Sequence, residues 1–270
     1  MKKYGLIGFP LTHSFSKKYF TEKFEKEGIN DASYDLFELA NLSDFPELIK
    51  DNPDLCGLNV TIPHKIGAIF YVNWLDDEAK KVKAINCIKV IQESALAAAF
   101  SGEVGFVGQD FRLEGYNTDI YGFEHSLKPL LKLHHKRALV LGNGGASRAV
   151  RYVLKKLGIP FKVVSRRPRP NQLLYENLTP EIVKSYRLII NTTPLGTDPD
   201  ITAFPPIPYD AITERHLLYD LIYNPEKTVF LQKGEAQGAE IKNGHEMLVL
   251  QAEKGWEIWN KKNHEPISII

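Results

Sequence analysis

The chain has 270 residues and a net charge of +1, from 34 Lys+Arg against 33 Asp+Glu, with 43% hydrophobic and 25% charged residues. That composition excludes a disordered chain and a general nucleic-acid surface, and no apolar run reaches the ~18 residues of a membrane span, the longest being Ala95 to Phe100. Two cysteines, Cys56 and Cys87, cannot build a disulfide framework or a four-ligand zinc site, and the segment from Met1 to Gly5 lacks a signal-peptide core. The expectation is a cytoplasmic, metal-free protein handling a small molecule, with neither nucleic acid nor membrane as partner.

In chain order, Lys3 to Phe9 predicts a short buried strand ending in the turn signal Gly8-Phe9-Pro10. Ser16 to Glu27 predicts a helix, with Tyr19, Phe20 and Phe24 on one face and Gly28 as a stop. A strand over Tyr34 to Leu39 and a helix over Ser43 to Ile49, capped by Ser43 or Asp44, come next. Leu55 to Ile62 is a third strand, Pro63 suits the first turn of a helix, and Ala84 to Val90 is another strand. Such β/α alternation favours a mostly parallel sheet. The stretch from Gln92 to Gln109 departs from it and predicts a hairpin or surface excursion.

A second alternation follows: a helix over Tyr121 to Leu131, a strand over Arg137 to Leu141, and a helix over Ala146 to Leu157 stopped by Gly158. Strands are predicted at Lys162 to Ser165, Leu188 to Asn191, Leu217 to Leu221 and Ala239 to Ile241. Glu246 to Lys262 predicts a closing helix whose stripe of Leu248, Ala252, Trp256 and Trp259 must dock on something.

Between strand and helix, Gly142-Asn143-Gly144-Gly145-Ala146 with Ser147 nearly meets G-x-G-x-x-G/A. Such a turn suits a pyrophosphate at a helix N-terminus, and it also serves as a tight βα turn in any doubly wound fold. At the end of the next strand, where NAD-preferring proteins place an acid, stand Ser165, Arg166, Arg167, Pro168 and Arg169. Guanidinium groups there favour NADP over NAD; a solvated basic loop is the plainer alternative, Arg169 above all.

Polar groups also collect in the first half. Ser14 and Ser16 precede a helix that either could simply cap. Strand alternation puts Asn59 and Thr61 on one face, opposite Leu58, Val60 and Ile62. Lys65 falls on a predicted first helical turn, a poor place for a cation and hence a candidate for function. Asn86 interrupts an apolar strand, where it either makes a structural hydrogen bond or faces a ligand. Asp119 closes Tyr116-Asn117-Thr118-Asp119, which an Asx turn would also explain.

Taken in order, these stretches, with Asn191 to Gly196, Tyr219 to Pro225 and Gly244 to Ala252, resemble the shikimate dehydrogenase family from about Tyr4 to Gln251. The resemblance implies NADP-dependent interconversion of 3-dehydroshikimate and shikimate. It implies an N-terminal α/β substrate domain, 1–119 completed by a C-terminal helix over 246–270, and a Rossmann-like doubly wound NADP domain over 120–245. A catalytic cleft is expected between them. Lys65 and Asp119 would be the catalytic pair; Ser14, Ser16, Asn59, Thr61, Asn86, Asp119, Tyr223 and Gln251 would hold the substrate. Gly142, Asn143, Gly144, Gly145, Ala146, Ser165, Arg166, Arg167, Leu221 and Gly244 would hold NADP. Without the resemblance, Gln251 would be taken for a solvent-exposed position on the closing helix.

Lys17 stands where the family usually has proline, and Ser165-Arg166-Arg167 where it has Asn-Arg-Thr. Gly244-His245-Glu246-Met247 replaces a more apolar turn, and the interval from Asn86 to Asp119 is longer than usual. A quinate/shikimate or amino-shikimate dehydrogenase, or a non-catalytic dinucleotide-sensing module, are the alternatives. Arg166 argues against an NAD enzyme, and Lys65 with Asp119 against a sensor. The expected assembly is a monomer or homodimer.

Overall fold

The structure is a computed structural model in which residues 1–11, 14–92, 111–167 and 170–261 are described. The predicted excursion from 93 to 109, Arg169 and the part of the expected closing helix beyond 261 lie outside them. The chain divides into two compact units: Met1–Lys80 with Ala84–Thr118 and the residues from Ala252 on, and Lys81–Lys83 with Asp119–Gln251.

The first unit holds β1 (Lys2–Gly8), β2 (Ala32–Glu38), β3 (Leu55–Val60), β4 (Trp74–Leu75), β5 (Cys87–Gln92) and β6 (Phe111–Tyr116), in the order β2-β1-β3-β5-β6-β4. β1 runs parallel to β2 and β3. β5 is antiparallel to both β3 and β6, so the sheet is mixed where alternation predicts a mostly parallel one. Between β3 and β5 the helical pieces are a 3-10 helix, Gly67–Tyr71, and the six-residue α3 (Asp77–Val82). The long crossover helix typical of a parallel neighbour is missing there. β4 and β6 are strands that the pattern does not predict.

One face of this sheet buries Ile7, Leu58, Val60 and Ile88 with Phe45 and Ile49 of α2 (Phe45–Asp51). The helix follows a 3-10 turn, Leu42–Asp44, and neither Ser43 nor Asp44 caps it; Ser43 Oγ bonds Asp44 instead. The other face buries Tyr4, Phe20, Phe24, Tyr34 and Trp259, drawn from β1, α1 (Phe15–Glu27), β2 and α8 (His245–Asn260). The predicted stripe of α8 therefore docks through Ala252, Trp256 and Trp259. Trp259 stacks on Tyr4 with ring centroids 5.1 Å apart and donates its indole N–H to the Ile88 carbonyl at 3.0 Å.

The second unit holds β7 (Ala138–Leu141), β8 (Phe161–Ser165), β9 (Gln172–Leu174), β10 (Leu188–Asn191), β11 (Leu217–Asp220) and β12 (Glu240–Lys242). Their order is β12-β11-β10-β7-β8-β9 and every pairing is parallel. Counted from β7, this is the doubly wound order 3-2-1-4-5-6, whose direction reverses between β7 and β10. α4 (Thr118–Leu127) begins three residues before its predicted start and gives way to a 3-10 turn, Lys128–Leu130. Pro129 in that turn lacks the N–H that a continuing helix needs. α5 (Gly145–Lys156) buries Ala149, Val150, Val153 and Leu154, and α6 (Pro180–Ser185) and α7 (Val229–Ala236) complete the layers. Among the described residues no helix is long and apolar enough to cross a membrane.

Because Trp259 supplies both ring area and a buried hydrogen bond, Trp259→Ala should destabilise the first unit by about 3–5 kcal/mol. Urea unfolding followed by circular dichroism measures this, with the loss expected in the midpoint rather than in the slope.

Candidate functional site

In the first unit the candidate residues gather where β1 and β3 end. Ser14 is the N-cap of α1, its hydroxyl accepting the Lys17 N–H at 3.3 Å, so a capping role accounts for it locally. Ser16 is buried two residues further in. Asn59 is buried and accepts a 2.6 Å hydrogen bond from the Tyr34 hydroxyl. It thus faces the aromatic core while Leu58 and Val60 face the other, as strand alternation requires. Thr61 is half-buried and its N–H reaches the Ile7 carbonyl at 2.9 Å.

Lys65 does not sit on a first helical turn. Residues 62–66 form successive turns that lead into the 3-10 helix, so the helix-dipole argument for Lys65 fails. The turns are held by His64, whose buried ring donates from Nε2 to the Leu39 carbonyl at 2.6 Å. The Lys65 carbonyl accepts the Ile85 N–H at 2.8 Å.

Asn86 lies just before β5, and its side chain makes structural hydrogen bonds. Its Oδ1 accepts the Thr118 N–H at 2.6 Å and its Nδ2 donates to Thr118 Oγ1 at 3.0 Å. Asn117 Nδ2 donates to the Ala84 carbonyl at 2.9 Å. The segment from Ala84 to Asn86 is thereby tied to Lys65 on one side and, on the other, to the residue preceding Asp119. Asp119 is buried in the first turn of α4, where a carboxylate meets the positive end of the helix.

In the second unit the glycine turn joins β7 to α5 at the reversal of the sheet. Gly142 has φ +105°, and a Cβ there would lie 2.8 Å from Thr192 Oγ1, so only glycine fits. Ser147, in the third place of the motif, is fully buried and donates to the Gly142 carbonyl at 3.0 Å, closing the turn. Arg151 donates to Asn143 Oδ1 at 3.0 Å. Gly144 is the N-cap of α5 with no side chain capping it, and a Cβ added there would meet no atom within 4 Å. The free N–H groups of a helix start and open space above them are what a pyrophosphate requires.

At the end of β8, Ser165 is buried and its hydroxyl donates to the Arg167 carbonyl at 2.7 Å, which shapes the loop. Arg166 and Arg167 are exposed. Across the reversal, the Gly244 N–H meets the Ile222 carbonyl at 2.9 Å, and a Cβ on Gly244 would collide with the Leu221 carbonyl. Leu221 and Gly244 are therefore in contact, with Tyr223 half-buried beside them in the chain. Gln251 is buried, not solvent-exposed, and donates to the Leu248 carbonyl at 3.0 Å.

Asp220 is a buried polar residue that the sequence reading passes over as part of an apolar strand. It is fully enclosed at the end of β11. Its Oδ1 accepts from Asn191 Nδ2 at 3.0 Å and the Ile222 N–H at 3.1 Å, and its Oδ2 accepts from Thr228 Oγ1 at 2.6 Å. Asn191 in turn accepts from the Thr193 N–H at 3.0 Å. Burial pushes the Asp220 carboxyl up to about 7, against the opposing pull of Thr228, Ile222 and Asn191. An acid within the run from Leu217 to Leu221 is the signal that could have found it.

A parallel 3-2-1-4-5-6 sheet, with a glycine turn and an uncapped helix at its reversal, defines a dinucleotide-binding protein of the doubly wound class. The profile described as the shikimate dehydrogenase substrate binding domain matches residues 6–88. The chain is 38% identical to the shikimate dehydrogenase (NADP+) of Clostridium beijerinckii, with 97% of this chain and 93% of that protein covered. It is 34% identical to that of Methanococcus maripaludis, over 97% and 92% of the two chains. Among solved structures, Thermus thermophilus shikimate 5-dehydrogenase in complex with NADP(H) and shikimate superposes with a TM-score of 0.78. It is 28% identical to this chain, and the match covers 96% of this chain and 94% of that one. The chain belongs to the shikimate dehydrogenase family.

The raised Asp220 pKa makes a stability prediction with a definite sign. Between the ordinary value of 3.8 and about 7 the folded protein keeps a proton that the unfolded chain releases. This group's contribution is full below the lower value and is lost as pH rises through the upper one. Asp220→Asn, which cannot titrate, should shrink the fall in unfolding free energy between pH 5 and pH 8 by on the order of 2 kcal/mol. Paired urea titrations of the two proteins at both pH values measure it.

Proposed function

We infer that this protein is an NADP-dependent oxidoreductase that reversibly converts 3-dehydroshikimate to shikimate. The observation that carries the reading is its likeness, over 97% of its length, to shikimate dehydrogenases (NADP+) such as that of Clostridium beijerinckii. Residues 1–119, completed by the closing helix, are assigned to substrate binding, and 120–245 to the nucleotide. The free cysteines Cys56 and Cys87 suit a reducing cytoplasm.

NADP would lie along the turn Gly142, Asn143, Gly144, Gly145 and Ala146, with Leu221 and Gly244 as further contacts. Arg166 and Arg167 suit a 2′-phosphate, and Ser165, which spends its proton on Arg167, shapes the loop that presents them. When bound, NADP supplies hydride exchange with the substrate carbon that carries the reacting oxygen. Lys65 is assigned the proton: its ammonium gives one to that oxygen as negative charge develops there, and its charge stabilises the alkoxide. In the oxidative direction the neutral amine takes the proton back. Asp119 is assigned as the partner that fixes this ammonium and helps hold the substrate.

The remaining assignments follow substrate chemistry. A ring acid with several hydroxyl groups needs donors for its carboxylate and mixed partners for its hydroxyls. Ser14 and Ser16, at the start of α1, suit the carboxylate. Asn59, Thr61, Asn86, Tyr223 and Gln251 suit the ring.

NADPH formation with shikimate, quinate or neither, repeated with NAD, tests the reading; turnover with shikimate and NADP is expected, and none with either acid would refute it. Lys65→Ala should lower kcat by ~10²–10⁴-fold with a smaller change in the KM for shikimate. Arg166→Ala should raise the KM for NADP by ~10–100-fold while leaving the rate measured with NAD unchanged.

A further inference from the structure

Tyr34 in β2 looks in the sequence like one more aromatic core position. It is buried, and its ring stacks on Phe20 with centroids 4.6 Å apart and planes 13° from parallel. A phenol so placed must find a partner for its hydroxyl, and a backbone carbonyl would serve. Instead the hydroxyl donates to Asn59 Oδ1 at 2.6 Å. That partner is a residue assigned above to the substrate.

The consequence lies in which way the Asn59 amide points. Its oxygen and nitrogen have nearly the same shape, so packing alone does not choose between the two orientations. Here the choice is made by hydrogen bonding. With Oδ1 committed to Tyr34, Nδ2 faces the Asn86 carbonyl at 3.5 Å. A flipped amide would set Oδ1 against that carbonyl, acceptor against acceptor, and would leave the Tyr34 proton without its partner. Burial holds the phenol far above its ordinary pKa, the Ser16 hydroxyl lowering it only in part, so the donor persists at neutral pH.

We propose that Tyr34 is a positioning residue: its hydroxyl locks the Asn59 amide with the N–H edge turned toward substrate oxygen atoms. Tyr34 itself touches no substrate. The proposal rests on the assignment of Asn59 to the substrate site.

Tyr34→Phe keeps the stacked ring and removes only the hydroxyl. The expected result is a rise of ~3–30-fold in the KM for shikimate, with the KM for NADP unchanged and kcat altered less than the KM. Phe20→Leu breaks the stack and keeps the hydroxyl. It should lower the melting temperature at least as much as Tyr34→Phe yet leave the KM for shikimate near that of the unmodified enzyme. An unchanged KM in an active Tyr34→Phe enzyme overturns the proposal and leaves the assigned reaction standing. So does an equal KM rise in Phe20→Leu, which would trace the effect to loosened packing. Absence of shikimate turnover by the unmodified protein removes the assigned reaction, and this proposal with it.

Discussion

The three residues Ala84, Ile85 and Asn86 are the tie on which the assigned chemistry depends. All are buried, and between them they spend polar groups on two stretches of chain: Ile85 on Lys65, and Ala84 and Asn86 on the neighbours Asn117 and Thr118. Lys65 and the pair Asn117 and Thr118, far apart in sequence, are thereby held to a common short segment. The energetic logic is that of any buried polar junction, where a missing partner costs more than a formed bond contributes. Such a junction is rigid because every alternative leaves a group unpaired.

The second unit solves the same problem with one side chain. Asp220 joins the ends of β10 and β11 to the start of α7, through Asn191, Ile222 and Thr228. Three donors do not offset the cost of enclosing its charge, which is why its pKa remains high. The glycine turn, by contrast, is held by Ser147, a neutral hydroxyl with no charge to desolvate. The carboxyl ends of these neighbouring strands thus combine a firm junction at β10 and β11 with an open, uncapped helix start at α5.

Much of this was legible before any coordinates. The strands β1, β3, β7, β8, β10 and β11 stand out because fully buried parallel strands are short apolar runs, and Leu188–Asn191 matches residue for residue. The glycine turn and the stripe of α8 were legible for the same reason, since local pattern and tertiary role agree. Elements that exist only through their neighbours were not. β4 is two residues long, and the alternation of β6, Phe111-Arg112-Leu113-Glu114, lasts only four residues before Gly115. The turn after Pro63 has a helical composition, but the buried His64 ring bonded to Leu39 holds it in tight turns. Tyr34 and Asp220 escaped because a sequence shows a side chain's type and not its partner.

The closing helix has a consequence in time. Trp256 and Trp259 cover one face of the first sheet, although they are made only after the second unit that runs to Gln251. While the ribosome extends the intervening second unit, Tyr4, Phe20 and Tyr34 have no lid. The first unit is therefore finished only once the closing helix has been made, and until then the nascent chain carries a bare aromatic surface of the kind that chaperones bind.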